Sequence, residues 1–233
     1  MSKPENNPNL PRLEDFAPRK KRAGKILKHL YKAYPIAERT ALDHDEDPLE
    51  MVVATILSAQ CTDDQVNLVT PSLFKRYRTA RDYANADVKE LEALIKPTGF
   101  YHNKTKNIIA CAKALIENFG GAVPREMDKL ITLPGIGRKT ANVVKYAVWG
   151  DNDGIAVDTH VGRLSRRLGL SIQTDAVKVE LDLLEVTPEK SRGDFSWMLI
   201  QHGREVCDSR KPACDKCVLK DLCPSAFHAE NIK

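Results

Sequence analysis

The stretch LPGIGRKTANVV, residues 133–144, sets two glycines around one apolar residue and a lysine two places behind the second. A turn of Pro134, Gly135 and Gly137 that opens a helix is a natural anion site. Glycine lets the main chain approach a ligand closely, and the first N–H groups of a helix have no partner within it. A Walker A loop does not fit: Arg138 separates Gly137 from Lys139, Thr132 stands where its first glycine belongs, and the preceding segment reads as helix. The alternative is a helix–turn–helix that grips phosphate, with Gly135, Gly137 and Arg138 at the contact. Lys139 falls in the first turn of the second helix. There the dipole disfavours a cation by roughly 0.3–1 kcal/mol, which favours a neutral, nucleophilic amine. The competing reading is a solvated surface lysine.

A second constellation closes the chain. Cys207, Cys214, Cys217 and Cys223 lie within CDSRKPACDKCVLKDLC. Crowding of this kind in a cytosolic protein points to metal in preference to disulfides. Four thiolates suit tetrahedral zinc or an iron–sulfur cluster, and the spacing alone does not choose between them. Arg210 and Lys211, between the first two cysteines, are suited to phosphate or are solvated charges. The two remaining cysteines, Cys61 and Cys111, sit in apolar, helical surroundings and read as core residues.

The elements that must position these residues are helices. Apolar residues recur at three- and four-residue spacing in 24–33, 48–59, 64–77, 88–95, 104–119 and 127–133, and clean alternation is scarce, so the fold class is all-α. In the fifth segment Ile108, Ile109, Ala112, Leu115, Ile116 and Phe119 make one stripe. Asp158 opens a further helix, DTHVGRLSRRL, and is an N-cap by type. WGDNDGIAVD, residues 149–158, breaks the pattern and reads as a connection between two helical lobes.

The chain has 233 residues, 42% of them hydrophobic, and a net charge of +4 from 36 basic and 32 acidic side chains. That is enough for one large or two small domains with a buried core. The longest apolar run, MVVATILSA, is half the roughly 18 residues that span a bilayer, so no membrane segment is expected. The first residues are polar, rich in Pro and Asn, and lack an apolar signal core, so a cytoplasmic protein with a flexible tail over 1–19 is expected. The cluster PRKKR, residues 18–22, reads as a solvated segment or a phosphate contact.

LPGIGRKTANVV, AVDTHVGRLSRRLGL at 156–170, ILSAQCTDDQVN at 56–67 and the four C-terminal cysteines together resemble the endonuclease III family of DNA repair glycosylases. The resemblance runs from about residue 24 to residue 223. It implies two helical lobes: a six-helix-barrel-type domain over 41–152 ending in a helix–hairpin–helix, and a discontinuous cluster domain formed by 20–40 and 153–233. It implies Lys139 as nucleophile, Asp158 as its catalytic partner, and a [4Fe–4S] cluster on Cys207, Cys214, Cys217 and Cys223. It also implies that Gln60 and Phe100 enter the DNA, Phe100 standing where relatives often carry an aliphatic residue. The implied activity is a monomeric, bifunctional glycosylase and abasic-site lyase acting on duplex DNA with oxidised pyrimidines or abasic sites, nucleoid-associated in a bacterium. Alternatives are a relative directed at 8-oxoguanine or mismatched adenine, or a non-enzymatic iron–sulfur DNA-binding module. Binding alone requires neither Lys139 nor Asp158, and the mismatch-adenine activity requires no lysine nucleophile.

Overall fold

The computed structural model describes residues 14–35, 41–43 and 46–232. Regular structure among them is entirely helical: eleven α-helices and short 3-10 turns, with no strand. The described residues divide into two compact units, one of 41–43 with 46–151, the other of 14–35 with 152–232.

In the first unit, α2 (Pro48–Leu57) starts where Asp47 accepts hydrogen bonds from the N–H groups of Leu49 and Glu50, with Pro48 at the first helical position. Every residue from Met51 to Leu57 is buried. The longest apolar run is therefore the central helix of a core, and no described helix is long and apolar enough to cross a membrane. Around it stand α3 (Asp63–Arg76), α4 (Ala80–Ala84), α5 (Val88–Ile95), α6 (Tyr101–Phe119), the single turn α7 (Met127–Leu130) and α8 (Arg138–Trp149). α2 packs on α8 and α6, and α6 also takes α4 and α5. One apolar core, including Ile56, Leu73, Leu91, Ile108, Leu115 and Val144, joins them.

The second unit packs α1 (Phe16–Ala33) on α10 (Ala176–Val186) and α11 (Arg192–Glu205), and α9 (Thr159–Arg167) on α10 and α11. Its core includes Ile26, Leu30, Val161, Leu164, Leu183, Phe195 and Met198. Residues 150–158 have no regular structure. Ile155 and Val157 are nevertheless buried, and Ser196 Oγ donates to the Ala156 carbonyl at 2.6 Å.

Three expectations are corrected here. The stretch 1–19 is not a tail throughout: residues 1–13 lie outside the described residues, but Phe16 already begins α1. Periodicity missed this turn because arginines hold it. Arg19 is buried, pairing with Glu185 at 2.7 Å and bonding the Leu170 carbonyl, and Arg22 bonds the Gly169 carbonyl. Half of the basic cluster is therefore structural, its long stems packing like apolar side chains. Secondly, the helix expected over 48–59 stops two residues early. α2 ends at Leu57, α3 starts at Asp63, and the turn between them carries Gln60. Cys61 lies in that turn, half-buried against the core, whereas Cys111 is buried on α6. Thirdly, the α6 seam runs through Lys104, Thr105, Ile108, Cys111, Ala112 and Leu115, leaving Ile116 exposed.

Ile108 is at the middle of that seam. Ile108→Ala should destabilise the fold by about 2–5 kcal/mol in urea unfolding, the usual cost of a cavity in a packed core.

Candidate functional site

The hairpin residues are brought together by chain adjacency. After α7, the Thr132 N–H bonds the Lys129 carbonyl, Leu133 that of Leu130, and Ile136 that of Leu133, giving a run of tight turns. Leu133 and Ile136 are buried and anchor the turn from beneath. Gly135 has φ +83°, and a Cβ there would lie 3.1 Å from Asn107 Cβ on α6, so both conformation and packing demand glycine. Gly137 differs. Its φ of −88° and ψ of 172° are extended backbone open to any residue, and a Cβ would meet nothing within 4 Å. Of the two hairpin glycines, only Gly135 adopts a conformation that other residues disfavour. As the N-cap of α8, Gly137 offers no side-chain oxygen to the N–H groups of the first turn. Arg138 and Lys139 are the first two residues of that helix, Arg138 half-exposed and Lys139 exposed.

Asp158 belongs to the other unit and is the N-cap of α9: its Oδ1 accepts the Val161 N–H at 2.8 Å. It lies half-exposed on the wall of a wide cleft that also involves Thr159, Arg163, Arg166 and Arg210.

Gln60 and Phe100 share a feature that no pattern in the sequence announces. Among the described residues only three non-glycine residues have positive φ: Gln60 (52°), Phe100 (47°) and Phe227 (65°). Left-handed backbone costs an L-residue about 1–2 kcal/mol and persists only where the surroundings impose it. Both side chains are exposed, Phe100 at 62%, so Phe100 is not a core residue.

The four cysteines line one small cleft, together with Leu164, Leu168 and Leu219. Among the described residues no three His, Cys, Asp or Glu side chains form a group able to hold a single ion. Burial pushes the Cys217 thiol up, and the Cys223 thiol up to about 11. Arg167, 1% exposed, organises this loop. Nε donates to the Ile232 carbonyl at 3.1 Å, Nη1 to that of Asp208 at 2.7 Å, Nη2 to that of Ser209 at 2.8 Å, and Nη1 approaches Cys207 Sγ at 3.3 Å. Arg163 is buried beside it and donates to the carbonyls of Gly203 and Cys207. These two arginines hold main chain and do not face solvent. Asp208 accepts N–H bonds from Lys211 and Arg210, which hold its carboxyl below the usual range and fix the turn on which both basic side chains are exposed. His202 is buried between Tyr34 Oη (2.9 Å) and Cys217 Sγ (3.2 Å), and burial lowers its pKa to about 4. It is a satisfied polar group.

Sequence reasoning missed Arg167, Arg163 and Lys104 as structural anchors. For Lys104 a signal existed: it stands four residues before Ile108 on the buried stripe of α6.

Residues 53–189 match the HhH-GPD superfamily of base excision DNA repair proteins. The chain is 50% identical to endonuclease III of Synechocystis sp. over 92% of its length and 97% of the relative's. It is 47% identical to endonuclease III of Bacillus subtilis over 76% and 81% respectively. The chain belongs to the endonuclease III family. Among solved structures, a trapped endonuclease III–DNA covalent intermediate superposes with a TM-score of 0.82 at 40% identity, over 89% of this chain and 96% of that one. A thermostable thymine-DNA glycosylase gives 0.78 at 25% identity, over 88% and 96%. The enzyme is accordingly a base-excision repair glycosylase with abasic-site lyase activity.

The two hairpin glycines should separate in a stability measurement. Gly135→Ala should lose about 1–2 kcal/mol from the left-handed backbone alone. Gly137→Ala should stay within about 0.5 kcal/mol of wild type in the same urea titration, because the smaller unfolded-state entropy offsets a poorer N-cap.

Proposed function

We propose that the enzyme removes oxidised pyrimidines from duplex DNA through a Schiff base on Lys139, then cuts the strand at the resulting abasic site by β-elimination. The observation that carries this reading is the place of Lys139, an exposed amine in the first turn of α8, directly behind a turn whose cap is a bare glycine. The Nζ lone pair attacks the anomeric carbon, the N–C bond forms, and the glycosidic bond breaks with its electron pair leaving on the base, which takes up a proton. Ring opening gives a protonated imine. The imine acidifies the neighbouring carbon, and loss of a proton there expels the 3′ phosphate. Water then hydrolyses the imine and frees the lysine.

Breaking a glycosidic bond builds positive charge on the sugar, and the Asp158 carboxylate stabilises it and assists the proton transfers. Its capping bond uses Oδ1, so helix capping and catalysis fit one side chain. A base inside a duplex must be flipped out at a cost of a few kcal/mol. Gln60 and Phe100, exposed and held in left-handed turns, are suited to enter the space it leaves. Gly135, Gly137 and Arg138 hold the phosphate backbone at the hairpin, and Arg210 and Lys211 hold it at the cysteine loop. Gly137 supports this, since it leaves the first N–H groups of α8 without a side-chain cap.

Cys207, Cys214, Cys217 and Cys223 hold the [4Fe–4S] cluster. The support is a donor set of four thiols that line one cleft. The cluster, when bound, supplies a crosslink between the end of α11 and the basic turn after it. The cluster reading predicts a brown protein containing iron and acid-labile sulfide, and a loss of the visible absorbance in Cys214→Ser. A colourless protein holding zinc would overturn it.

Borohydride trapping on duplex DNA containing thymine glycol tests the chemistry. Wild type should give a covalent adduct that Lys139→Ala lacks. Asp158→Asn keeps an N-cap of equal quality, so it should bind DNA and stay folded while excision falls by about 100-fold or more. An adduct that persists in Lys139→Ala, or normal excision by Asp158→Asn, would refute these roles.

A further inference from the structure

The turns that carry Gln60 and Phe100 share one buried anchor. Lys104 is 4% exposed, and its Nζ donates to the carbonyl of Leu57 and to that of Thr98, each at 2.7 Å. Leu57 is the last residue of α2, and Thr98 ends the 3-10 turn Lys96–Thr98. The terminal carbonyls of a helix have no partner within it, and a cation there also meets the negative end of the dipole. From Leu57 the chain needs three residues to reach Gln60, and from Thr98 two residues to reach Phe100. Lys104 also grips the second turn through its main chain, its N–H bonding the Phe100 carbonyl at 3.1 Å.

Holding a cation here is costly. Burial lowers the pKa of the Lys104 ammonium, and both partners of Nζ are neutral carbonyls. An apolar side chain would fill the α6 seam without that desolvation. A lysine, however, has three donors on one nitrogen and can bond carbonyls of two separate segments at once. Strained backbone persists only where its surroundings over-determine it, and two of the three left-handed non-glycine residues stand within three residues of carbonyls that this one nitrogen binds.

We propose that Lys104 is a positioning residue for duplex opening: by bonding the carbonyls of Leu57 and Thr98 it locks the two left-handed turns in one register, so that Gln60 and Phe100 enter DNA as a unit. The inference rests on the reading of Gln60 and Phe100 as residues that enter the DNA. The nucleophile and the phosphate contacts lie elsewhere, so loss of the anchor should spare binding to undamaged duplex and weaken the unstacking of bases at a lesion.

The test is the fluorescence of 2-aminopurine placed beside a tetrahydrofuran abasic analogue in a duplex, read at saturating protein. Saturation removes affinity from the comparison. Wild type should raise the emission as neighbouring bases unstack. Lys104→Met should cut that rise by about threefold or more, while its dissociation constant for undamaged duplex stays within about twofold of wild type. Lys104→Arg, which keeps charge and several donors, should restore most of the rise. A wild-type rise in Lys104→Met overturns the proposal, as does an equal loss of undamaged-duplex binding, which would mean general damage to the fold. No rise with wild type would instead refute the underlying reading of Gln60 and Phe100. A cycle on two exposed positions keeps the proposal testable if Lys104→Met does not fold. Gln60→Ala and Phe100→Ala, which leave the core intact, should be strongly non-additive if they act as a unit, and additive losses would overturn it.

Discussion

A chain whose described structure is all helix must find partners for the N–H and C=O groups stranded at every helix end, and this constraint organises the enzyme. Where the ends are buried, long cationic side chains meet them. Lys104 joins the carbonyl ends of α2 and the 3-10 turn before α6. In the loop after α11, Arg167 likewise gathers the carbonyls of Asp208, Ser209 and Ile232, and Arg163 takes that of Gly203 in the last turn of α11 and that of Cys207 beyond it. Where the ends are exposed, side-chain oxygens cap them, as Asp47, Thr79 and Asp158 do. The first turn of α8, like those of α1, α6, α7 and α11, has no side-chain cap, and its N-cap is a glycine with no side chain to give. An anion is what such a helix N-terminus prefers, which is the basis of the phosphate contact proposed there.

The same constraint sorts the positive charge. A net charge of +4 says little about nucleic acid. Arg19, Arg163, Arg167 and Lys104 are buried and serve the fold, whereas Lys139, Arg210 and Lys211 stand exposed on turns. Arg210 and Lys211 are held out by a turn that Asp208 closes through two N–H bonds. A buried carboxylate partner would have been expensive to desolvate; main-chain carbonyls supply the bonds of Arg163, Arg167 and Lys104 without a second charge, and the Glu185 carboxylate that pairs with Arg19 is itself exposed.

Two of the three left-handed non-glycine residues among those described lie just before α3 and α6. Gln60 and Phe100 occupy backbone regions that their own side chains disfavour, and the fold holds them there from beneath. On the proposed reading, a side chain fixed before DNA arrives loses less freedom on insertion than one on a loose loop, so part of the ordering cost of opening a duplex would be met during folding. The exposure of the Phe100 ring leaves a large apolar surface in water, an arrangement that stability alone does not favour.

What the sequence by itself determined was whatever depends on near neighbours in the chain. The all-α class followed from three- and four-residue spacing, the hairpin from Pro134 and Gly135, the cap from Asp158 ahead of its helix, and the gathering of four cysteines from their crowding in the chain. Each rests on dihedral preferences or contacts within a few residues. The tertiary structure decided the rest. Arg19 reads as a tail residue until Leu170 and Glu185, more than 150 positions away, bury it. Lys104 reads as a surface lysine until the Leu57 carbonyl, 47 positions back, meets its ammonium. Gln60 shows no glycine or asparagine to announce a left-handed turn, and Phe100 no sign that its ring faces solvent. Burial and imposed strain are properties of what packs against a residue, and in a helical fold those partners come from distant segments that no local pattern can name.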